Sequence, residues 1–196
     1  MDYLSQSIND FVSLFLQNLP FFLKFIGVFW AMQIANHWVF KNKLLVLGIL
    51  PRHPWGLMGI VFSPFLHNGW AHLVSNSLMM LVLGMFVLSS GLPVFAVVTV
   101  IIIVLSGLLT WSFARDGIHV GASGLVMGYW GYLLVECIYR PSISAIGIVA
   151  VCLYYFLSMF SNLLPQDRTV SWEGHLFGFM AGIAAVFLQA GVLSLL

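Results

Sequence analysis

The chain has 196 residues, of which 61% are hydrophobic and only 7% carry a charged side chain, with a net charge of +1 at pH 7. So few charges cannot cover the surface of a soluble domain of this size, and the near-neutral balance offers no basic surface for nucleic acid. The sequence therefore predicts a membrane protein that does not bind nucleic acid.

The N-terminal segment shows the pattern of an amphipathic helix. Its apolar residues recur at helical spacing, at Leu4, Ile8, Phe11, Phe15 and Leu19. Polar residues lie between them, which is typical of a helix in the membrane interface. Pro20 then suits the first turn of a new helix. We therefore predict an interfacial helix over residues 1–19 and a single membrane domain over residues 20–196.

Six apolar runs of about the length that a bilayer requires follow along the chain. We predict membrane-spanning helices over residues 21–40, 69–89, 93–113, 121–139, 143–160 and 173–193. The predicted fold class is all-α, a polytopic bundle of six transmembrane helices. The longest connection, residues 41–65, is too apolar for water, so we expect it to rest beside the bundle, half in the interface.

Polar side chains open the second of these spans, where His72 and Asn76 lie four residues apart and share one helix face. Polar groups within a span are costly and usually face a bundle interior or a water-filled cavity that serves a function. Ser123 opens the fourth span and His175 opens the sixth. If the spans alternate in direction, all four side chains enter from one side and can converge below the membrane surface.

This grouping permits nucleophilic catalysis, because a neutral imidazole can take the proton of a serine hydroxyl near pH 7. Ser123 with His175 would form a dyad, and the Ser123 N–H with His72 and Asn76 could stabilise an oxyanion. Small residues at three- and four-residue spacing would let the fourth and sixth spans approach closely. They are Gly121, Gly124, Gly128, Gly178 and Gly182.

Three motifs resemble those of the rhomboid family of intramembrane serine proteases. They are His67-x4-His72-x3-Asn76, Gly121-x-Ser123-Gly124 and Gly174-His175-x2-Gly178-x3-Gly182. The resemblance covers residues 21–193, and the six-span layout is similar to that of a bacterial GlpG-type member. One departure is Met127, which stands where many members have an aromatic residue.

The resemblance implies that Ser123 is the nucleophile and His175 the general base, with His72, Asn76 and the Ser123 N–H at the oxyanion. It further implies a structural role for His67 and a movable cap formed by residues 161–172. The expected activity is endopeptidase cleavage of the transmembrane helices of other membrane proteins, near the membrane boundary, through an acyl-enzyme. We expect no metal or other cofactor, and the close-packed glycines Gly121, Gly124, Gly178 and Gly182 would support the site.

The resemblance also implies a multi-pass protein of the bacterial inner membrane whose site opens to the extracytoplasmic side. The distribution of charge points the other way, because the loops on the site's side hold most of the cations. These are Lys41, Lys43, Arg52, Arg115 and Arg168. The positive-inside rule would place such loops in the cytoplasm. We follow the resemblance, because the charges are few and the first loop is expected to fold into the interface.

Two other functions fit a buried group of serine, asparagine and histidine. A metal-dependent membrane protease would use the histidines as ligands, but no His-Glu-x-x-His motif is present, and His67 and His72 fall on different helix faces. A small-solute transporter would line its path with such residues, but neither internal repeats nor matching interrupted helices are evident. We interpret the remaining titratable residues near these spans as interfacial, namely His37, His53, His119 and Glu173.

Overall fold

A computed structural model describes residues 3–139, 163–164 and 171–195 of the protein. The helices of this part are α1 (Tyr3–Ile34), α2 (Gly59–Phe62), α3 (Trp70–Leu88), α4 (Leu92–Phe113), α5 (Ser123–Tyr139) and α6 (Trp172–Leu193). The described residues contain no β-strand, and Ile49 and His119 form an isolated antiparallel bridge. The predicted all-α fold class is confirmed.

Four segments of the described chain are long and apolar enough to cross a bilayer. They are Val12–Val39, Trp70–Leu88, Leu92–Phe113 and Trp172–Leu193. Helix α5 has 17 residues, about 25 Å at the usual helical rise. The helices that carry the proposed site therefore lie within a few residues of the predicted spans. The span predicted at 143–160 and most of the predicted cap at 161–172 fall outside the described residues.

Helix α1 corrects one prediction from the sequence. The helix expected to begin at Pro20 begins at Tyr3 and runs through Pro20 without a break. Proline removes a backbone donor, but membrane helices tolerate this where neighbouring groups satisfy the freed carbonyl. The expected break is therefore wrong, whereas the division into an interfacial segment over 1–19 and a domain over 20–196 stays a prediction. A π-helix over Ala35–Val39 ends this element.

The first loop, residues 40–69, folds as a series of short helical turns against the rest of the bundle. The backbones of Ile49 and His119 donate hydrogen bonds to each other at 2.9 Å, and the N–H of Arg52 donates to the Trp111 carbonyl at 2.8 Å. Within this loop, Ile60 packs closely on Gly107 of α4. The prediction that the loop rests beside the bundle is confirmed, and its predicted position half in the interface stays a prediction.

Helix α5 lies at the centre of the described bundle, with every residue from Leu125 to Leu133 buried. Its contact with α6 is made by backbone, because a Cβ atom on Gly178 would overlap the carbonyl oxygen of Gly124. A Cβ atom on Gly182 would overlap the carbonyl oxygen of Gly128 in the same way. The expected close approach of these two helices through small residues is therefore present.

Candidate active site

In the turn before α5, two of the predicted polar side chains pack on Gly121, two residues before Ser123. Gly121 has a φ of +121°, and its N–H donates to the Ser63 carbonyl at 2.9 Å. A Cβ atom placed on Gly121 would lie 2.5 Å from Cε1 of His72 and 3.6 Å from Nδ2 of Asn76. A side chain here would collide with His72 in a conformation that L-residues rarely adopt. Gly121 therefore packs against α3, not against α6 as the sequence analysis expected.

Asn76 points a hydrogen-bond donor into this region. Its side chain is 6% exposed, and among the described residues its Nδ2 has no hydrogen-bond acceptor. Leaving a buried amide donor unpaired costs about 1 to 3 kcal/mol. A donor left free beside the turn that leads into Ser123 is suited to stabilise charge on a bound molecule.

His67 supports the same turn from the first loop. Its ring is fully buried, and Nε2 accepts a hydrogen bond from the N–H of Ala122 at 3.4 Å. Burial lowers the pKa of His67 to about 4, and the neighbouring His72, 5.3 Å away between ring centroids, contributes to the decrease. The ring is therefore neutral at pH 7 and keeps the lone pair that the Ala122 N–H requires.

Ser123 and His175 belong to backbone segments that touch. A Cβ atom on Gly124 would lie 3.3 Å from the carbonyl oxygen of Gly174, so the residue after Ser123 contacts the residue before His175. Both side chains are half-buried. The N–H of His175 donates to the Ser171 carbonyl at 3.2 Å, within the first turn of α6. The geometry therefore brings together the elements that carry all four predicted polar residues.

A small cavity of about 40 Å³ lies beside Ser123, between the first loop, α4, α5 and the start of α6. Its polar lining comes from Ser63, Ser106, Thr110, His119, Ser123 and Ser171. A buried water needs roughly 10 to 15 Å³ of such volume and two to four polar partners. The cavity therefore has room and hydrogen-bonding groups for a few water molecules next to the serine hydroxyl.

A second polar group, not anticipated from the sequence, joins the α4–α5 loop (residues 114–122) to the start of α6. Arg115 Nε lies 3.3 Å from Glu173 Oε1, and His119 Nδ1 lies 2.6 Å from Ser171 Oγ. Glu173 is 5% exposed and His119 is 8% exposed. Their interpretation as interfacial residues is therefore wrong, because each has a partner from another segment that withdraws it from the surface.

The described residues hold no group of three or more His, Cys, Asp or Glu side chains placed to bind a metal ion. The segments that meet here carry the Ser123 hydroxyl, the His175 imidazole and the unpaired Asn76 donor, and a polar cavity lies beside Ser123. Together the fold and this site define a multi-pass membrane protein with a polar centre at one end of its helical bundle.

Comparison with known proteins gives the family. A model described as the Rhomboid domain matches residues 54–191, which include all three motifs. Uncharacterized proteins of Mycobacterium bovis and Mycobacterium tuberculosis are each 35% identical to the chain over 175 residues, covering 85% of the chain and 72% of the relative. An uncharacterized protein of Mycobacterium leprae is 35% identical over 140 residues, covering 67% of the chain and 56% of the relative. The chain belongs to the rhomboid family of intramembrane serine proteases.

Proposed function

We propose that the protein is a serine endopeptidase that cleaves transmembrane helices of other membrane proteins by a dyad of Ser123 and His175. The observation that carries the proposal is the packing of His72 and Asn76 on Gly121, two residues before Ser123. The segments around Ser123 and His175 touch at Gly124 and Gly174, which supports a direct exchange of a proton between the two side chains.

The chemistry follows from these groups. The imidazole of His175 takes the proton of the Ser123 hydroxyl as its oxygen attacks the peptide carbonyl carbon. The negative charge that develops on the carbonyl oxygen is stabilised by the side chains of His72 and Asn76 and by the Ser123 N–H. His175 then gives its proton to the leaving amine, the peptide bond breaks, and an acyl-enzyme remains on Ser123. Water from the adjacent cavity, deprotonated by His175, hydrolyses this ester and restores the hydroxyl.

The expected substrate is a single transmembrane helix, cut near the membrane boundary. A helix must unwind locally to present a peptide carbonyl, because its backbone hydrogen bonds otherwise occupy that group. We propose that the protein is a GlpG-type enzyme of a bacterial inner membrane, with the site opening to the extracytoplasmic side. His67 and the glycines Gly121, Gly124, Gly178 and Gly182 would hold the site's backbone in place.

The test is covalent labelling and substrate cleavage by the purified protein in detergent. A serine-directed phosphonate should label the wild type, and a model single-span substrate should be cut. Ser123→Ala should abolish both, and His175→Ala should abolish cleavage, because each removes a reacting group. Ser75→Ala, which changes an exposed serine of α3, is the matched control and should behave as the wild type.

The same experiment separates the proposal from its alternatives. Cleavage that survives Ser123→Ala but is lost with a chelator would establish a metal-dependent protease. A wild type that neither reacts with the phosphonate nor cuts the substrate would refute the dyad.

A further inference from the structure

The start of α6 is tied to the loop that leads into Ser123 by an ion pair and a hydrogen-bonded histidine. We call Arg115, His119, Ser171 and Glu173 the α6 anchor. Arg115 and His119 lie in the α4–α5 loop, which runs directly into α5 and Ser123. Ser171 precedes the first residue of α6, and Glu173 lies in its first turn, two residues before His175.

In the ion pair, the carboxylate of Glu173 is more buried than the guanidinium of Arg115. The Glu173 side chain is 7% exposed and that of Arg115 is 33% exposed. Besides the contact of Arg115 Nε, the backbone N–H of Arg115 donates to the same Oε1 at 3.4 Å. A carboxylate in the first turn also interacts favourably with the helix dipole. Removing either charge would leave the other poorly compensated in a partly dry site, so the first turn would lose its fixed position.

His119 joins three segments at one point. Its Nε2 lies 3.0 Å from the Arg115 carbonyl oxygen, which can only accept, so Nε2 carries a proton. Its Nδ1 lies 2.6 Å from the Ser171 hydroxyl oxygen, within hydrogen-bond distance. The His119 backbone is also paired with Ile49 of the first loop. The ring therefore ties the α4–α5 loop to α6 while its backbone is held by the first loop.

The glycine contacts between α5 and α6 include the first turn of α6, where Gly124 lies against the Gly174 carbonyl. Gly178 and Gly182 lie one and two turns further along the helix than His175, and helix ends fray where backbone groups lack partners. The backbone N–H of His175 donates to the carbonyl of Ser171, which is itself a member of the anchor. The anchor thus adds side-chain contacts to the turn that carries His175, beyond the backbone contact at Gly174.

We propose that the α6 anchor is a positioning device that sets the placement of the His175 ring relative to the Ser123 hydroxyl. The inference rests on the proposed function, because it assigns the anchor's effect to proton transfer between these two side chains. Arg115 and Glu173 are positioning residues in this scheme, since neither is required to touch the reacting atoms. A shift of about 1 Å between reacting groups such as Ser123 and His175 can reduce the rate about a hundredfold.

The test compares Glu173→Gln and Arg115→Gln with the double variant Arg115→Gln/Glu173→Gln. Each single variant should lower the rate of phosphonate labelling at Ser123 about ten- to hundredfold, with kcat falling and KM nearly unchanged. The double variant should be no slower than the worse single one, because both changes break the same contact. Arg115→Lys keeps the charge and should recover most of the rate.

The matched control is Asp116→Asn. Asp116 is the next residue in the same loop, and its exposed carboxylate pairs with Arg52 of the first loop and not with α6. The change from carboxylate to amide is the same as in Glu173→Gln, so the labelling rate should stay within about twofold of the wild type. All assays are run well below the unfolding temperature of each variant, measured in the same detergent.

Hydrogen exchange across residues 171–178 provides a readout that does not depend on activity. In Glu173→Gln the amides of this segment, that of His175 included, should exchange about tenfold faster, and in Asp116→Asn they should not. If the wild type is labelled but the anchor variants match it in labelling and exchange, the positioning role is refuted and the proposed function stands. If the wild type is not labelled at all, the proposed function fails and the catalytic role of the anchor fails with it.

Discussion

His67 can accept the hydrogen bond from Ala122 only while its ring is neutral. Its pKa falls from 6.5 to about 4 on folding, chiefly by burial and further by the neighbouring His72. Between these two values the unfolded chain binds a proton that the folded protein does not, so stability rises with pH across this window. We predict that this contribution is complete above pH 6.5 and that about 3 kcal/mol of it is lost as the pH falls to 4.

The measurement is the free energy of unfolding in detergent as a function of pH, for the wild type and for His67→Gln. A glutamine does not titrate, and its amide oxygen can still accept from the Ala122 N–H. Carboxylates titrate equally in both proteins, so the difference between the two curves isolates His67. Parallel curves from pH 7 to pH 4 would show that its protonation is not coupled to folding.

The two side chains that pack on Gly121 should affect the rate of reaction more than the binding of substrate. We predict that His72→Ala and Asn76→Ala each reduce kcat about 10²- to 10³-fold and leave KM within a few-fold, because the donors act on charge present only in the transition state. Initial rates over a range of substrate concentration separate the two constants. A higher KM with no change in kcat would mean that these residues contact substrate without stabilising an oxyanion.

The sequence predicts contacts between residues that are close in the chain, and it misses contacts between residues that only the fold brings together. His72 and Asn76 share a face because helix geometry fixes residues four apart, so their joint packing on one partner could be expected. The partner of Glu173, in contrast, comes from a loop 58 residues away. Helix periodicity places Glu173 on the side opposite to His175, but it does not reveal that Arg115 covers that side.

At the scale of helices, the contact between α5 and α6 depends on glycines that leave no space for a side chain. A Cβ atom on Gly182 would overlap the carbonyl oxygen of Gly128. We predict that Gly182→Ala lowers the unfolding temperature and the cleavage rate together, because the helices must separate, at a cost of about 1 to 3 kcal/mol. Thermal unfolding and cleavage in detergent measure the two effects.

Gly191→Ala is the control on the same helix. A Cβ atom on Gly191 would meet no atom within 4 Å, and alanine favours a helix over glycine by roughly 1 kcal/mol. This variant should therefore be as stable as the wild type or slightly more stable, with unchanged cleavage. A similar loss in both variants would mean that the effect of Gly182→Ala does not come from contact with Gly128.

The bounds of α3, α4 and α6 followed from the sequence because long apolar runs are interrupted only by short polar connections. The break predicted at Pro20 did not follow, since proline is a reliable helix terminator in water but a weaker one in a membrane. For the first loop, the sequence predicted its general position but not its specific contacts. Its composition indicated that it packs on the bundle, but the pairing of Ile49 with His119 depends on where the α4–α5 loop folds.

For the whole molecule, an even number of spans places both ends of the chain on one side of the membrane. With the six predicted spans, the proposed site would lie on the side opposite to these ends, since His72, Ser123 and His175 each open an even-numbered predicted span. The family resemblance puts the ends in the cytoplasm, whereas the cations of the site-side loops favour the reverse orientation. In the folded protein Arg52 is paired with Asp116 and Arg115 with Glu173.

We predict that the ends lie in the cytoplasm. A green fluorescent protein fused to the C-terminus should therefore fluoresce, and alkaline phosphatase fused at the same point should be inactive, because the phosphatase needs the oxidising extracytoplasmic side for its disulfides. The phosphatase fused within the α4–α5 loop should be active. Arg52→Gln, which removes one cation from the site's side, should not alter either result. The reverse pattern would place Ser123 at the cytoplasmic face, and substrates would then be cut on that side of the membrane.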